Sequence, residues 1–318
     1  FEVIVFGLLM LFVLQRFADG LWPTLARIAS RWVRPHAVAA TDAARPAAQL
    51  AHRNLPARGE VLLQATKVSK RFGGLVANND ISMTLKAGEI HALIGPNGAG
   101  KSTFFNMISG VDDPSSGEVR LEGDAMSGRP SRAFAARGLG RTFQHVRLLG
   151  QRSVVENVAL GAHLRAKRGW LAAMLRLDRA DEAALMAEAR KQIERCGLGA
   201  HADTPAASLS LGQQRVVEIA RALAGQPSVL LLDEPAAGLR HLEKRALSEL
   251  LGQLRAEGLG ILVVEHDMEF VMNLADRITV LEFGPVTATG TPAEVQANPR
   301  VLEAYLGGAD DELLEDAR

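Results

Sequence analysis

The chain has 318 residues, with 36 Lys or Arg balanced by 36 Asp or Glu. That balance gives no basic footprint for nucleic acid, and one Tyr with eleven Phe leaves little to stack on bases. Cys196 is the sole cysteine, so an intrachain disulfide and a thiolate metal cluster are both excluded, and Cys196 itself reads as packing. The length suits one or two domains with a buried core, and 47% hydrophobic residues argue against wholesale disorder.

The chain opens on Phe, which fits a processed protein or a piece of a longer one. Residues 3–14, VIVFGLLMLFVL, are uninterrupted apolar but shorter than the roughly 20 residues that span a bilayer. No basic region precedes them, so they do not read as a signal peptide. Arg16, Arg27, Arg31 and Arg34 follow, with Trp22 and Trp32 among them, as at a cytoplasmic membrane exit. Residues 1–34 are therefore expected to hold the end of a transmembrane helix; a buried or interfacial helix is the alternative. Residues 35–58, rich in Ala and Pro without period, read as a linker.

A folded domain is expected over 59–308. Val61 to Val68 and Ile81 to Leu85 read as strands, with Lys70-Arg71-Phe72-Gly73-Gly74 as a loop between them. Ile90 to Ile94 is a third strand and 101–109 a helix. Pro114-Ser115-Ser116-Gly117 is a turn, Glu118 to Glu122 a short strand, and 130–137 a helix. From about 150 to 225 apolar residues recur every three or four positions, as in AALMAEARKQIERCGL, which predicts a helical subdomain. Val229 to Leu232 and Ile261 to Val264 are apolar throughout and read as buried strands on either side of a helix at 240–257. Ile278 to Leu281 and Val286 to Ala288 are late strands, 292–306 is helical, and 309–318 is an acidic tail. Strands alternating with helices predict an α/β fold around a mostly parallel sheet covered on both faces.

The chemistry concentrates at strand ends. GPNGAGKST places Gly95, Pro96, Asn97, Gly98, Ala99, Gly100, Lys101, Ser102 and Thr103 in the G-x-x-x-x-G-K-[ST] pattern between a strand and a helix. Glycines let the backbone curl so that its N–H groups face a polyphosphate. Lys101 can reach the β- and γ-phosphates of ATP, and Ser102 can offer a hydroxyl to Mg²⁺. VLLLDE ends on Asp233, a candidate for Mg²⁺ through water, and Glu234, a candidate base for the attacking water. Gln144, after GLGRTF, suits a sensor touching both metal and water. His266, after ILVVE, suits a hydrogen bond to the γ-phosphate. Taken singly, a loop Gln is usually just solvated and a His after a strand is usually structural. Phe72 can stack on adenine or belong to a core. The segment Leu209, Ser210, Leu211, Gly212, Gln213 opens a helix whose first N–H groups are free, a second phosphate-binding device. One loop already cradles one nucleotide, so the second device suggests a partner's.

Together these residues resemble the ATP-binding cassette family. GPNGAGKST matches its Walker A, Gln144 its Q-loop, LSLGQ its signature, LLLDE its Walker B and His266 its switch histidine, in the family's order over residues 60–308. The resemblance implies a mostly parallel core sheet with helices, an antiparallel β subdomain and a helical signature subdomain. It implies two ATP molecules with Mg²⁺ held between two ATPase chains, like or unlike, whose closure drives a membrane permease. GRTFQHVRLL, SVVENVALGAH, LSLGQQRVVEIARALA, LLDEPAAGL and VLEAYLG are similar to the ATPase subunits of branched-chain (hydrophobic) amino-acid importers. That implies a place on the cytoplasmic side of the inner membrane, with a periplasmic solute-binding protein as a further partner. Residues 1–34 look like the end of that system's permease, so the expectation is the C-terminal part of a permease–ATPase fusion. Two positions depart: Leu211 stands where the signature usually has Gly, as is frequent in this branch, and Arg240 stands where Asp or Asn is usual. An importer of urea, short amides or aromatic acids is the nearest alternative. A soluble cassette acting on ribosomes or DNA fits less well with one signature and one Cys, and a module that holds ATP without hydrolysing it fits poorly with Glu234.

Overall fold

The computed structural model describes residues 53–165 and 179–301, together with residues 6, 7 and 50. Contacts divide the chain into Phe1–Pro46 and Ala47–Arg318, and the fold below belongs to the second unit. Most of the expected membrane exit at 1–34, most of the linker at 35–58 and the acidic tail lie outside the described residues. Among the described residues no helix is long and apolar enough to cross a membrane.

In chain order the strands are β1 (Val61–Phe72), β2 (Leu75–Lys86), β3 (Ile90–Ile94), β4 (Ser116–Leu121), β5 (Asp124–Ala125), β6 (Leu139–Arg141), β7 (Val229–Asp233), β8 (Gly260–Val264), β9 (Arg277–Leu281) and β10 (Val286–Gly290). The helices are α1 (Lys101–Met107), α2 (Ser131–Ala136), α3 (Val154–Ala159), α4 (Arg179–Arg195), α5 (Leu211–Ala224), α6 (His241–Ala256), α7 (Met268–Leu274) and α8 (Pro292–Gln296). Six strands form one sheet in the order β10-β9-β3-β8-β7-β6. All its pairings are parallel except β9 with β10. An antiparallel sheet, β2-β1-β4-β5, packs beside it.

The apolar runs are continuous because the central strands are covered on both faces. Side chains alternate along a strand. Val229 and Leu231 of β7 join Leu262 and Val264 of β8 in a core shared with β1, β2, β4 and α1. Leu230 and Leu232 join Ile261 and Val263 on the other face, against α5, α6 and α7. A third cluster joins α3, α4 and α5 through Val154, Val158, Ile193, Val217 and Ala220. Cys196 is packed against this cluster, and burial pushes its thiol up to about 12.

Several boundaries differ from the sequence reading: β2 begins at Leu75, not Ile81, and β4 begins at Ser116, inside the expected turn. Lys70, Arg71 and Phe72 are strand, not loop. The two-residue Gly73-Gly74 turn lets pairing run to its end, with Arg71 opposite Val76 and Phe72 opposite Leu75. The helix expected at 101–109 ends at Met107, and the one expected over 292–306 is interrupted after Gln296 at Ala297 and Asn298 and is helical again at Pro299, Arg300 and Val301.

Candidate nucleotide site

The phosphate loop is held by backbone on two sides. Gly95 has φ +152°, and a Cβ there would collide with Leu281 O of β9. Gly100 has φ +94°, with Ala77 O and Asn78 filling the space of its missing side chain. Asn78 Nδ2 donates to Gly100 O at 3.1 Å. On the other side Gly284 N donates to Ala99 O at 3.3 Å, and Asn79 N donates to Gly284 O at 3.1 Å. The loop is thus fixed in shape by β2 and by the turn between β9 and β10. Gly98, at φ +79°, has nothing within 4 Å of its Cβ position, so the open side of the loop lies there. Lys101 Nζ crosses the loop and donates to Gly95 O and Pro96 O at 2.7 and 2.8 Å. Burial lowers its pKa, while Glu234 and Asp233 pull it back up, so the ammonium and both acids share one field. Ser102 is exposed on the first turn of α1.

Both acids sit at the C-terminal end of β7, beside its parallel neighbour β8. Asp233 closes β7; burial raises its pKa, the cationic Arg141 lowers it and Glu234 raises it further. Glu234 has left-handed backbone, φ +46°, uncommon for a residue with a Cβ, and its N–H donates to Val264 O of β8 at 2.9 Å. The turn aims its carboxylate at two other candidates. Gln144 Nε2 donates to Glu234 Oε2 at 3.1 Å, and His266 Nδ1 lies 3.9 Å from Oε1. Lys101, Asp233, Glu234, Gln144 and His266 are therefore brought together. The Phe72 ring, at the end of β1, is 48% exposed, with Lys70 Nζ 5.1 Å from its centroid; it stands outside the core.

Residues 209–213 form a separate device. Ser210 caps α5: its Oγ accepts from Gln213 N at 3.3 Å, and Gln213 Oε1 accepts from Ser210 N at 3.0 Å. The amides of Leu211 and Gly212 come first in the helix and have no carbonyl one turn back. Leu211 is exposed, while Gly212 lies against Glu243 of α6. Arg240, the other departure from the family pattern, precedes α6, and its N–H donates to Glu243 Oε2 at 3.0 Å. Among the described residues no hydrogen bond or ion pair links 209–214 to the phosphate loop.

Two groups were not singled out from sequence. Glu265 is wholly buried; it accepts from Ala236 N at 2.7 Å and from His266 N at 3.2 Å, so it braces the turns that carry Glu234 and His266. Its burial raises its pKa. Arg141 reaches Asn106 Oδ1 and Ser109 Oγ of the α1 segment at 2.8 and 2.5 Å, with its guanidinium 4.6 Å from the Phe105 centroid. Glu265 had a readable signal, an acid directly after a run of four apolar strand residues; Arg141 had none beyond its place three residues before Gln144.

The donor set fits a nucleotide with a hard divalent cation. Ser102 Oγ, an Asp233 carboxylate and Gln144 Oε1 are all oxygens, as Mg²⁺ requires, and Gln144 has its Nε2 already engaged by Glu234.

A phosphate loop beside a Mg²⁺-type acid and a base at the end of a parallel strand defines a P-loop nucleoside triphosphatase. The ABC transporter family model matches residues 78–237, and the model described as branched-chain amino acid ATP-binding cassette transporter matches 288–311. The chain is 43% identical over 251 residues to the high-affinity branched-chain amino acid transport ATP-binding protein LivG of Salmonella typhimurium, covering 78% of this chain and 98% of that protein. It is 39% identical over 251 residues, with the same coverage, to the corresponding protein BraF of Pseudomonas aeruginosa. A nucleotide-free ATP-binding cassette from an ABC transporter superposes with a TM-score of 0.69 at 29% identity, over 77% of this chain and 99% of that one. The ADP conformation of such a cassette gives the same TM-score at 28% identity, over 78% and 99%. This chain belongs to the ABC transporter family, as an ATP-hydrolysing subunit.

Proposed function

We propose that this chain powers import of branched-chain or other hydrophobic amino acids, working on the cytoplasmic side of the inner membrane with permease subunits, a periplasmic solute-binding protein and a second ATPase chain. The observation that carries the hydrolytic part is the convergence on Glu234 of Gln144 at 3.1 Å and His266 at 3.9 Å. The solute rests on the 43% identity to a transport protein named for branched-chain amino acids.

The chain's own groups divide the work as follows. Backbone N–H groups among residues 97–101 cradle the α- and β-phosphates of ATP, and Lys101 leaves its carbonyl partners to bind β- and γ-oxygens. Phe72 packs against adenine. Ser102, Gln144 and Asp233 hold Mg²⁺, which when bound neutralises phosphate charge as the bond to the β–γ bridging oxygen breaks. Glu234 takes the proton of the attacking water, Gln144 orients that water, and His266 donates to the γ-phosphate. The segment Leu209, Ser210, Leu211, Gly212 and Gln213 offers the free amides of Leu211 and Gly212 and the Ser210 hydroxyl to the nucleotide of the second chain. A groove of about 330 Å³ lined by Phe143, Arg147, Leu160, Leu164 and Arg221 offers the permease an apolar floor with cationic edges.

The experiment is ATP-driven uptake of labelled leucine and of labelled urea by the complete transport system, with Glu234→Gln as the control. Leucine accumulation that disappears in Glu234→Gln supports the reading. Urea uptake that depends on Glu234 while leucine is ignored overturns the choice of solute.

A further inference from the structure

Residues 139–147 change partners midway. Leu139, Gly140 and Arg141 pair with β7, Thr142 N donates to Leu231 O at 3.0 Å, and Arg141 bonds the α1 segment. All of these are attachments to the sheet side. After Thr142 the partners lie on α5. Phe143 O accepts from Arg215 Nη1 at 3.2 Å. Arg147 N donates to Glu218 Oε1 at 2.9 Å, and Arg147 O accepts from Arg221 Nη1 at 2.6 Å. Arg221 Nη2 closes the loop on Glu218 Oε1 at 3.1 Å. Residues 215, 218 and 221 are spaced by three and share a face of the helix. Gln144 lies between the two sets of bonds, with its side chain on Glu234.

Glu218 is the centre of this grip. It is only 2% exposed, and its Oε2 has no hydrogen-bond partner among the described residues. Burial raises its pKa, against the pull of the Arg147 amide and of Arg221, Arg215 and Arg147. A buried carboxylate is a poor way to fill space, because an apolar side chain of the same volume packs without the desolvation cost. What the carboxylate supplies and an apolar group does not is an acceptor for a loop amide three residues beyond Gln144.

We propose that Glu218 is a positioning residue for Gln144: with Arg221 it ties the Gln144 loop to α5, so that Gln144 follows the helix that begins at Ser210, while Glu234 stays with the sheet. The inference rests on the hydrolytic role given to Gln144 above. Displacement of the Ser210 end of α5 then reaches the Gln144–Glu234 contact through one rigid element. Arg147 and Arg221 also line the groove offered to the permease, so the same grip stands between that groove and the site.

The test is steady-state ATP hydrolysis by the full chain in its assembled transporter, with Glu218→Leu, Glu218→Gln and Gln144→Ala, singly and with each Glu218 variant placed in the Gln144→Ala background. Leu fills the volume and removes the acceptors; Gln keeps an oxygen for Arg147 N–H. Glu218→Leu should lower kcat about tenfold and move the KM for ATP less than about twofold, and Glu218→Gln should keep most of the wild-type kcat. In the Gln144→Ala background Glu218→Leu should cost no further kcat, since the two act in series. Arg221→Met removes the other half of the grip and must give the same pattern, which keeps the test sound if Glu218→Leu does not fold. A fall in kcat of equal factor in both backgrounds, tracking a loss of thermal stability, overturns the inference alone. A Gln144→Ala variant with normal kcat overturns the role of Gln144, and the inference with it.

Discussion

Gly212 has two possible reasons to be a glycine, and one cycle of variants separates them. A methyl group there would meet Glu243 Oε1 at 2.5 Å and Cδ at 2.8 Å, closer than real contacts allow. Glu243 can swing away, but it accepts from Arg240 N at 3.0 Å at the start of α6. Gly212→Ala therefore loses that cap, at about 1 kcal/mol, and leaves some crowding. Ala over Gly in a helix returns up to about 1 kcal/mol, less in a first turn. The net expectation is a loss of about 1 kcal/mol, or about 2–4 °C in Tm for a unit of this size. Glu243→Ala alone should cost about 1 kcal/mol through the same cap. With the obstacle gone, Gly212→Ala in the Glu243→Ala background should be neutral or stabilising. Thermal and urea unfolding of the four proteins measures the cycle. Equal destabilisation by Gly212→Ala in both backgrounds would refute the steric account. ATP turnover of the same proteins reads the other reason: if bare backbone is needed for approach to the second chain's phosphates, turnover stays low in the double variant even where stability is restored.

Other outcomes follow from the site and the core. Glu234→Gln should keep an acceptor for Gln144 Nε2 yet remove the base, lowering kcat by about 10²–10⁴ while ATP still binds; turnover near wild type in a hydrolysis assay would remove Glu234 from that role. Mixing a Ser210→Ala chain with a Lys101→Ala chain should regain part of the ATPase activity that each lacks alone, provided like chains pair; no regain from a mixture shown to be dimeric would count against a site completed between chains. His91 is buried and bonded through Nε2 to Thr279 Oγ1 at 2.8 Å, and burial, then Arg277, lowers its pKa to about 4 from 6.5. A base whose folded pKa is lowered stabilises the fold above its unfolded pKa, so about 3 kcal/mol should be lost as pH falls from about 6.5 to 4. Urea unfolding across that range should be less pH-dependent in His91→Gln than in wild type; an unchanged slope would exclude His91 as a source of acid sensitivity.

The sheet was legible because the runs Val229 to Leu232 and Ile261 to Val264 at its centre are apolar throughout, and continuous apolar runs between helical patterns have one common solution, a parallel sheet covered on both faces. The phosphate loop was legible because its shape depends on glycines, and Gly95 and Gly100 prove to be pressed against Leu281 O, Ala77 O and Asn78. Side-chain chemistry that depends on tertiary neighbours was not. Nothing local marks Asn78 as the group that bonds Gly100, and the acid after the β8 run draws notice to Glu265 without telling that it braces the distant Ala236 amide. The loop expected at Lys70–Gly74 failed for a nearer reason. Lys70 and Arg71 look like loop residues by polarity, yet on β1 the Arg71 side chain is exposed and Lys70 Nζ donates to Asp113 O at 2.7 Å, while the backbone stays paired with β2 up to a Gly-Gly turn.

Arg240 and Leu211, the two departures from the family pattern, meet at one place. Leu211 reaches toward Gly238, Gly212 abuts Glu243, and Glu243 caps the segment that Arg240 begins. The helix start with the free amides of Leu211 and Gly212 and the loop that follows Glu234 are thus built against each other. Glu243 accepts the Arg240 N–H, but a guanidinium cannot accept the first-turn amides of α6 as a short polar side chain at position 240 would. That frees the Arg240 side chain, exposed on the surface, from any duty within its own helix. Its charge is then available to whatever faces this edge. A second copy of the chain would bring a second Arg240 with the same sign, and an unlike ATPase chain need not, so the ratio of like to unlike pairs formed by Arg240→Asn and wild type at low and high salt reads directly whether this residue selects the partner.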